Sequence, residues 1–108
     1  MTFNEYQEAA GKTSVYPREL RMVYPLIGLA GETGEVAEKV KKTIRDNDGV
    51  FDEDEKLEIA KELGDVLWYV SAIAGDMGYR LDDIARLNLE KIQSRDERDM
   101  LHGNGDNR

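Results

Sequence analysis

Three stretches of this chain repeat apolar residues every three or four positions, and none alternates apolar with polar as a half-covered strand would. Each residue advances an α-helix by about 100°. Leu26, Leu29, Val36, Val40 and Ile44 therefore share one face, and Ile59, Leu63, Val66, Val70, Ala74 and Met77 a second. Leu81, Ile84, Ala85 and Ile92 share a third. A stripe of this kind is stable only when another helix covers it. The pattern predicts an all-α fold: an antiparallel helical bundle of three long helices plus a short N-terminal helix.

The ends of these helices are written locally. Thr2-Phe3-Asn4-Glu5 reads as a capping box that opens a short helix ending near Lys12. Pro17 and Pro25 punctuate a less regular stretch over 13–24. The second helix is expected over about 26–45 and is stopped by Asp46-Asn47-Asp48-Gly49. Asp52-Glu53-Asp54-Glu55 opens the third, which runs to about Met77 and stops at Gly78. The last begins near Asp82 and fades around Arg98. Residues 1–98 are expected to form one domain, with 99–108 a flexible Gly-rich tail.

Several function classes fall away at this point. With no cysteine there is no disulfide framework, thiolate metal site or cysteine nucleophile, and the single histidine, His102, cannot build a multi-histidine site or a Ser–His–Asp triad. No apolar run reaches the roughly 18 residues of a membrane span, and Met1-Thr2-Phe3-Asn4-Glu5 lacks the signature of a signal peptide. The expected compartment is the cytoplasm, with no membrane partner. The net charge of −8 opposes nucleic-acid binding. An acidic protein can still bind a nucleotide if metal ions stand between its carboxylates and the phosphates.

The placement of the carboxylates fits that exception. Glu32-Thr33-Gly34-Glu35-Val36 and Glu62-Leu63-Gly64-Asp65-Val66 are one pattern repeated at an offset of 30 residues. Positions i and i+3 of a helix point to nearly the same side. Glu32 and Glu62 fall at the edges of their stripes, and Glu35 and Asp65 just outside. If the two stripes face each other, four carboxylates converge on one flank. Such a cluster is unfavourable unless a cation compensates it, and oxygen ligands alone favour Mg²⁺ or Mn²⁺. The alternative is a solvated acidic flank. The repetition and the interior glycines Gly28, Gly31, Gly34 and Gly64 favour the metal, because Gly inside a helix costs about 1 kcal/mol relative to Ala. Close approach of a helix or ligand gives a reason for that cost.

Residues 28–36 and 61–69 together resemble the E-x-x-E…E-x-x-D signature of the MazG-like nucleotide pyrophosphohydrolases, within the all-α NTP pyrophosphatase superfamily. Asn88-Leu89-Glu90-Lys91-Ile92 is similar to the family's N-x-x-K, and the resemblance covers about residues 3–98. It implies a Mg²⁺-dependent enzyme that splits a nucleoside triphosphate, most simply a deoxynucleoside triphosphate, into monophosphate and pyrophosphate. It also implies a homodimer or homotetramer with sites at subunit interfaces.

Under this resemblance Glu32, Glu35, Glu62 and Asp65 hold the metal, and Glu35 and Glu62 are the catalytic carboxylates, the general base being whichever carboxylate the metal does not fully use, with Glu35 one candidate. Asn88, Lys91 and Arg95, on one flank of the last helix, suit phosphate oxygens. Tyr69 points either to a sugar or phosphate or to the edge of the core. Phe3, Tyr6 and Gln7 resemble the family's base-side region. Trp68 is expected to face away from Asp65, toward packing or a subunit interface. Two other functions fit the same residues: a related all-α pyrophosphatase acting on dUTP or phosphoribosyl-ATP, and a non-enzymatic metal-binding dimerisation module.

Overall fold

The computed structural model describes residues 1–98 together with 103, 105 and 106. His102 lies outside the described residues. Four α-helices and no strand occur among the described residues: α1 (Phe3–Gly11), α2 (Val23–Asp46), α3 (Glu53–Asp76) and α4 (Leu81–Glu97), with a short 3-10 turn at Arg18–Leu20 before α2.

Local chemistry sets most of the boundaries. The Thr2 hydroxyl accepts from Glu5 N–H at 3.0 Å while the Glu5 carboxylate accepts from Thr2 N–H at 2.9 Å, which completes the capping box of α1. Asp52 caps α3 through Glu55 N–H at 2.9 Å. Gly78 follows α3 at φ +82°, the left-handed conformation that glycine adopts freely. The start of α2 departs from the sequence expectation. Pro25 does not precede the helix but sits in its first turn, where a missing N–H leaves no helical bond unmade. Tertiary contact permits the earlier start: Met22 takes φ +65°, and its N–H donates to Asp76 Oδ2 at 2.9 Å, at the far end of α3. Tyr16 donates to the same oxygen at 2.7 Å.

Helices α2 and α3 form the main pair. Lys39 meets Glu58 at 3.6 Å, and Thr43 donates to Glu55 at 2.8 Å. Near the other end of α2, Gly28 lies against the ring of Tyr69. The partners step up α3 as they step down α2, so the helices are antiparallel. Their seam is rotated from the one the stripes suggested. On α2 it follows Pro25, Leu29, Glu32, Val36 and Thr43, while Leu26 and Ile44 remain 58% and 60% exposed. On α3 it takes in Ile59, Glu62, Val66 and Val70, and Leu63 is left 52% exposed. The spacing of three and four residues is that of coiled-coil seams, which a pair of long helices follows more closely than a 3.6-residue wheel. Glu32 and Glu62 thus sit within the seam rather than at its edge.

Helix α1 packs on α3 and caps α4 across the chain. Gln7 Oε1 accepts from Leu81 N–H at 2.9 Å, and Asn4 Oδ1 from Asp82 N–H at 3.0 Å, satisfying donors that a helix start leaves open. Beyond Ala85, helix α4 stands clear of the hairpin, with residues 86–90 exposed. The radius of gyration is 16.7 Å, against about 13 Å for a compact chain of this length. Fully buried apolar side chains among the described residues are few: Pro25, Ala74 and Leu81.

Candidate metal and phosphate site

The repeated pentapeptides meet across the seam. Carboxylate oxygens of Glu32, Glu62 and Asp65 all lie within 4.8 Å of one another. Glu32 comes from α2, and Glu62 and Asp65 from adjacent turns of α3. Glu35 is exposed and stands outside this group of three, but its charge still reaches Glu32. Burial pushes the Glu32 carboxyl above its ordinary range, and Asp65, Glu62 and Glu35 push it further the same way. No lysine or arginine pairs with any of the four among the described residues. An uncompensated cluster of hard oxygen donors held at this spacing fits a small divalent cation.

A cleft of about 300 Å³ opens at this cluster, lined by Glu32, Asp65, Trp68 and Tyr69. Tyr69 stands beside the carboxylates, as its spacing suggested. Its hydroxyl is pushed upward by burial and then by Tyr24, Glu32 and Asp65. Its ring lies so close to Gly28 that no side chain fits there, which accounts for one of the interior glycines; around Gly31, Gly34 and Gly64 a Cβ would meet open space.

Trp68 corrects the sequence expectation. It shares the cleft with Asp65 instead of facing away. Three residues turn a helix by about 300°, so the two side chains are only about 60° apart. The indole meets the Tyr69 ring edge-on with centroids 4.9 Å apart, and its N–H donates to Thr13 Oγ1 at 2.9 Å. Trp68 is also one wall of a second cavity of about 240 Å³, bounded by Gln7, Ser14, Tyr16 and Asp76 among others.

Residues grouped with the base side divide. Tyr6 lies near Asp65, and its hydroxyl is pushed upward by burial first and then by that charge. Phe3 is 46% exposed. Gln7 uses both ends of its amide on backbone: besides capping α4, its Nε2 donates to Tyr79 O at 3.1 Å and Ser71 O at 3.3 Å. Asn88, Lys91 and Arg95 are absent from the lining of the carboxylate cleft. Lys91 and Arg95 instead meet Asp106 at 3.1 and 3.4 Å. Asp106 had no sequence signal as their partner, because a tail of glycines and polar residues carries no periodicity.

No helix among the described residues is long and apolar enough to cross a membrane. No solved structure matches the chain. It is 42% identical to the Gene 37 protein of Mycobacterium phage L5 over 109 aligned positions, covering 95% of this chain and 96% of the phage protein, whose name states no activity. The model of the MazG nucleotide pyrophosphohydrolase domain matches residues 25–99, which span both carboxylate pairs and all of α4. The seam, the carboxylate cluster and this match together place the chain in the MazG nucleotide pyrophosphohydrolase family.

Proposed function

We propose that residues 1–98 form a Mg²⁺-dependent pyrophosphohydrolase, acting in the cytoplasm on nucleoside triphosphates, deoxynucleoside triphosphates first among them. The observation that carries this reading is the uncompensated trio Glu32, Glu62 and Asp65, with oxygens within 4.8 Å, in a chain of this family. These three would hold Mg²⁺, or Mn²⁺ in its place, with Glu35 completing the set from the exposed side. The bound ion supplies charge neutralisation at the phosphates and makes a water easier to deprotonate.

The chain's own groups do the rest. Glu35, the carboxylate that stands outside the trio, takes the proton from the attacking water. The water oxygen bonds to the α-phosphorus, the α–β bridging bond breaks, and pyrophosphate leaves with its electron pair. Glu62 fixes the geometry from within the seam. Tyr69 donates its hydroxyl to a sugar or phosphate oxygen. Asn88, Lys91 and Arg95 bind the outer phosphates and offset developing charge.

The working unit in this reading is a homodimer or homotetramer, in which α4 of one copy approaches the carboxylates of another. Its support is the apolar surface a single copy leaves open, with Ile27 68%, Leu26 58% and Leu63 52% exposed, and the distance α4 keeps from its own hairpin. The test is phosphate release from a panel of nucleotides, with and without Mg²⁺ and with and without inorganic pyrophosphatase. Release that requires both additions is expected. Release without the pyrophosphatase, or none from any nucleotide, overturns the reading.

A further inference from the structure

Lys91 and Arg95 lie one helical turn apart on α4, and Gly105 and Asp106 lie against them. Lys91 Nζ donates to Asp106 Oδ1 at 3.1 Å. Arg95 Nη2 donates to the same oxygen at 3.4 Å and to the Gly105 carbonyl at 3.1 Å. One oxygen shared by a lysine and an arginine is also how a phosphate oxygen is gripped. Gly105 takes φ +83°, a conformation that lets the segment turn back toward the helix. Arg95 is only 8% exposed, although positions 92, 93, 96 and 97 beside it are exposed. The contact is open on its outer side, since the Asp106 side chain is 80% exposed.

We propose that Asp106 is an internal latch: residues 105–106 occupy the Lys91–Arg95 pair in the resting chain, and an incoming polyphosphate displaces them. This rests on the reading that the pair binds substrate phosphate. The hydrogen bond from Lys91, then its charge and the hydrogen bond from Arg95, hold the Asp106 carboxyl below the usual carboxylate range, so it is anionic at neutral pH and competes as an anion. It brings a single charge, and its pair with Lys91 is open to solvent, so that contact contributes little net stability. A polyphosphate carries several charges and wins. The latch therefore sets a threshold for weak or singly charged anions and leaves the preferred substrate in command.

The experiment is Asp106→Asn in the full chain, which keeps the side-chain shape and removes the charge. Two quantities are read: KM for a deoxynucleoside triphosphate, and the affinity for inorganic tripolyphosphate by titration calorimetry. KM is expected to fall and tripolyphosphate affinity to rise by roughly two- to fivefold, the scale of an exposed ion pair, with kcat unchanged. The gain should shrink in the Lys91→Ala background, where half of the pair is missing. If nucleotides are hydrolysed normally and Asp106→Asn leaves both quantities unchanged or weaker, the latch is wrong and the enzymatic reading stands. If tripolyphosphate binds more tightly to Asp106→Asn but no nucleotide is hydrolysed, the latch stands and the enzymatic reading falls.

Discussion

Replacing Gly28 with alanine separates two opposing effects at the carboxylate site. A Cβ built on Gly28 comes within 2.7 Å of Tyr69 Cδ1 and closer still to Cε1 and Cζ. Real side chains do not tolerate such contacts, and Trp68, edge-on to the same ring at 4.9 Å, blocks one direction of retreat. Overpacking of this kind costs about 1–3 kcal/mol. Against it, alanine in a helix interior is favoured over glycine by about 1 kcal/mol. The balance for Gly28→Ala is a destabilisation of up to about 2 kcal/mol. A two-state chain of this size loses about 4 °C of Tm per kcal/mol, so a fall of up to about 8 °C is expected. In a Tyr69→Ala background the ring is gone and only the helix term remains. The same substitution should then raise Tm by up to about 4 °C, a reversal of sign that no uniform helix effect produces. The assay is a double-mutant cycle by far-UV circular dichroism, with thermal and urea unfolding at one fixed protein concentration, because association would shift Tm. A rise in Tm for Gly28→Ala with Tyr69 in place, or the same sign in both backgrounds, would refute the close approach of α2 and α3 at this point.

Glu32→Gln tests the crowding of negative charge. The folded state holds the Glu32 proton above the ordinary value of 4.5, so more protons are bound folded than unfolded and stability falls as pH rises through that window. Without metal, Glu32→Gln should gain on the wild type as pH is raised from about 4.5 toward neutral, and Mg²⁺ should reverse the ranking; a pH-independent difference in Tm would count against the cluster. Lys91→Ala should lower kcat/KM for triphosphates by about tenfold, the lower end for loss of a charge-assisted contact, and affect shorter phosphate chains less. Steady-state kinetics across tri-, di- and monophosphate ligands checks this, and wild-type values would remove Lys91 from the site. Ile27→Glu, on the most exposed part of the α2 face, should reduce the assembly seen by light scattering at micromolar concentration and lower activity with it; a monomeric and fully active wild type would show that one chain builds the whole site.

What the sequence determined by itself was everything that depends on contacts within about one helical turn. The helix periods, the Thr2–Glu5 box, the Asp52 cap and the Gly78 stop involve neighbours in the chain, and each appears where the residues called for it. The same holds for the pairing of Glu62 with Asp65 on one side of α3; the repeat marks Glu32 as their counterpart, but the meeting itself needs α2 and α3 to face each other. Tertiary structure decided how far each helix turns about its own axis and what lies against it. A stripe with apolar residues on both shoulders can be buried at several rotations of similar energy, and the rotation realised puts Glu32 and Glu62 in the seam and leaves Leu26, Ile44 and Leu63 in the open. It puts Trp68 in the carboxylate cleft and leaves Glu35 outside the trio. Met22 takes φ +65° with its N–H donating to Asp76 at the end of another helix, and Asp106 meets Lys91 and Arg95 of α4 from more than ten residues away in the chain. Contacts between residues far apart in sequence leave no periodic trace, because nothing in the local chemistry of either partner depends on the other until the chain is folded.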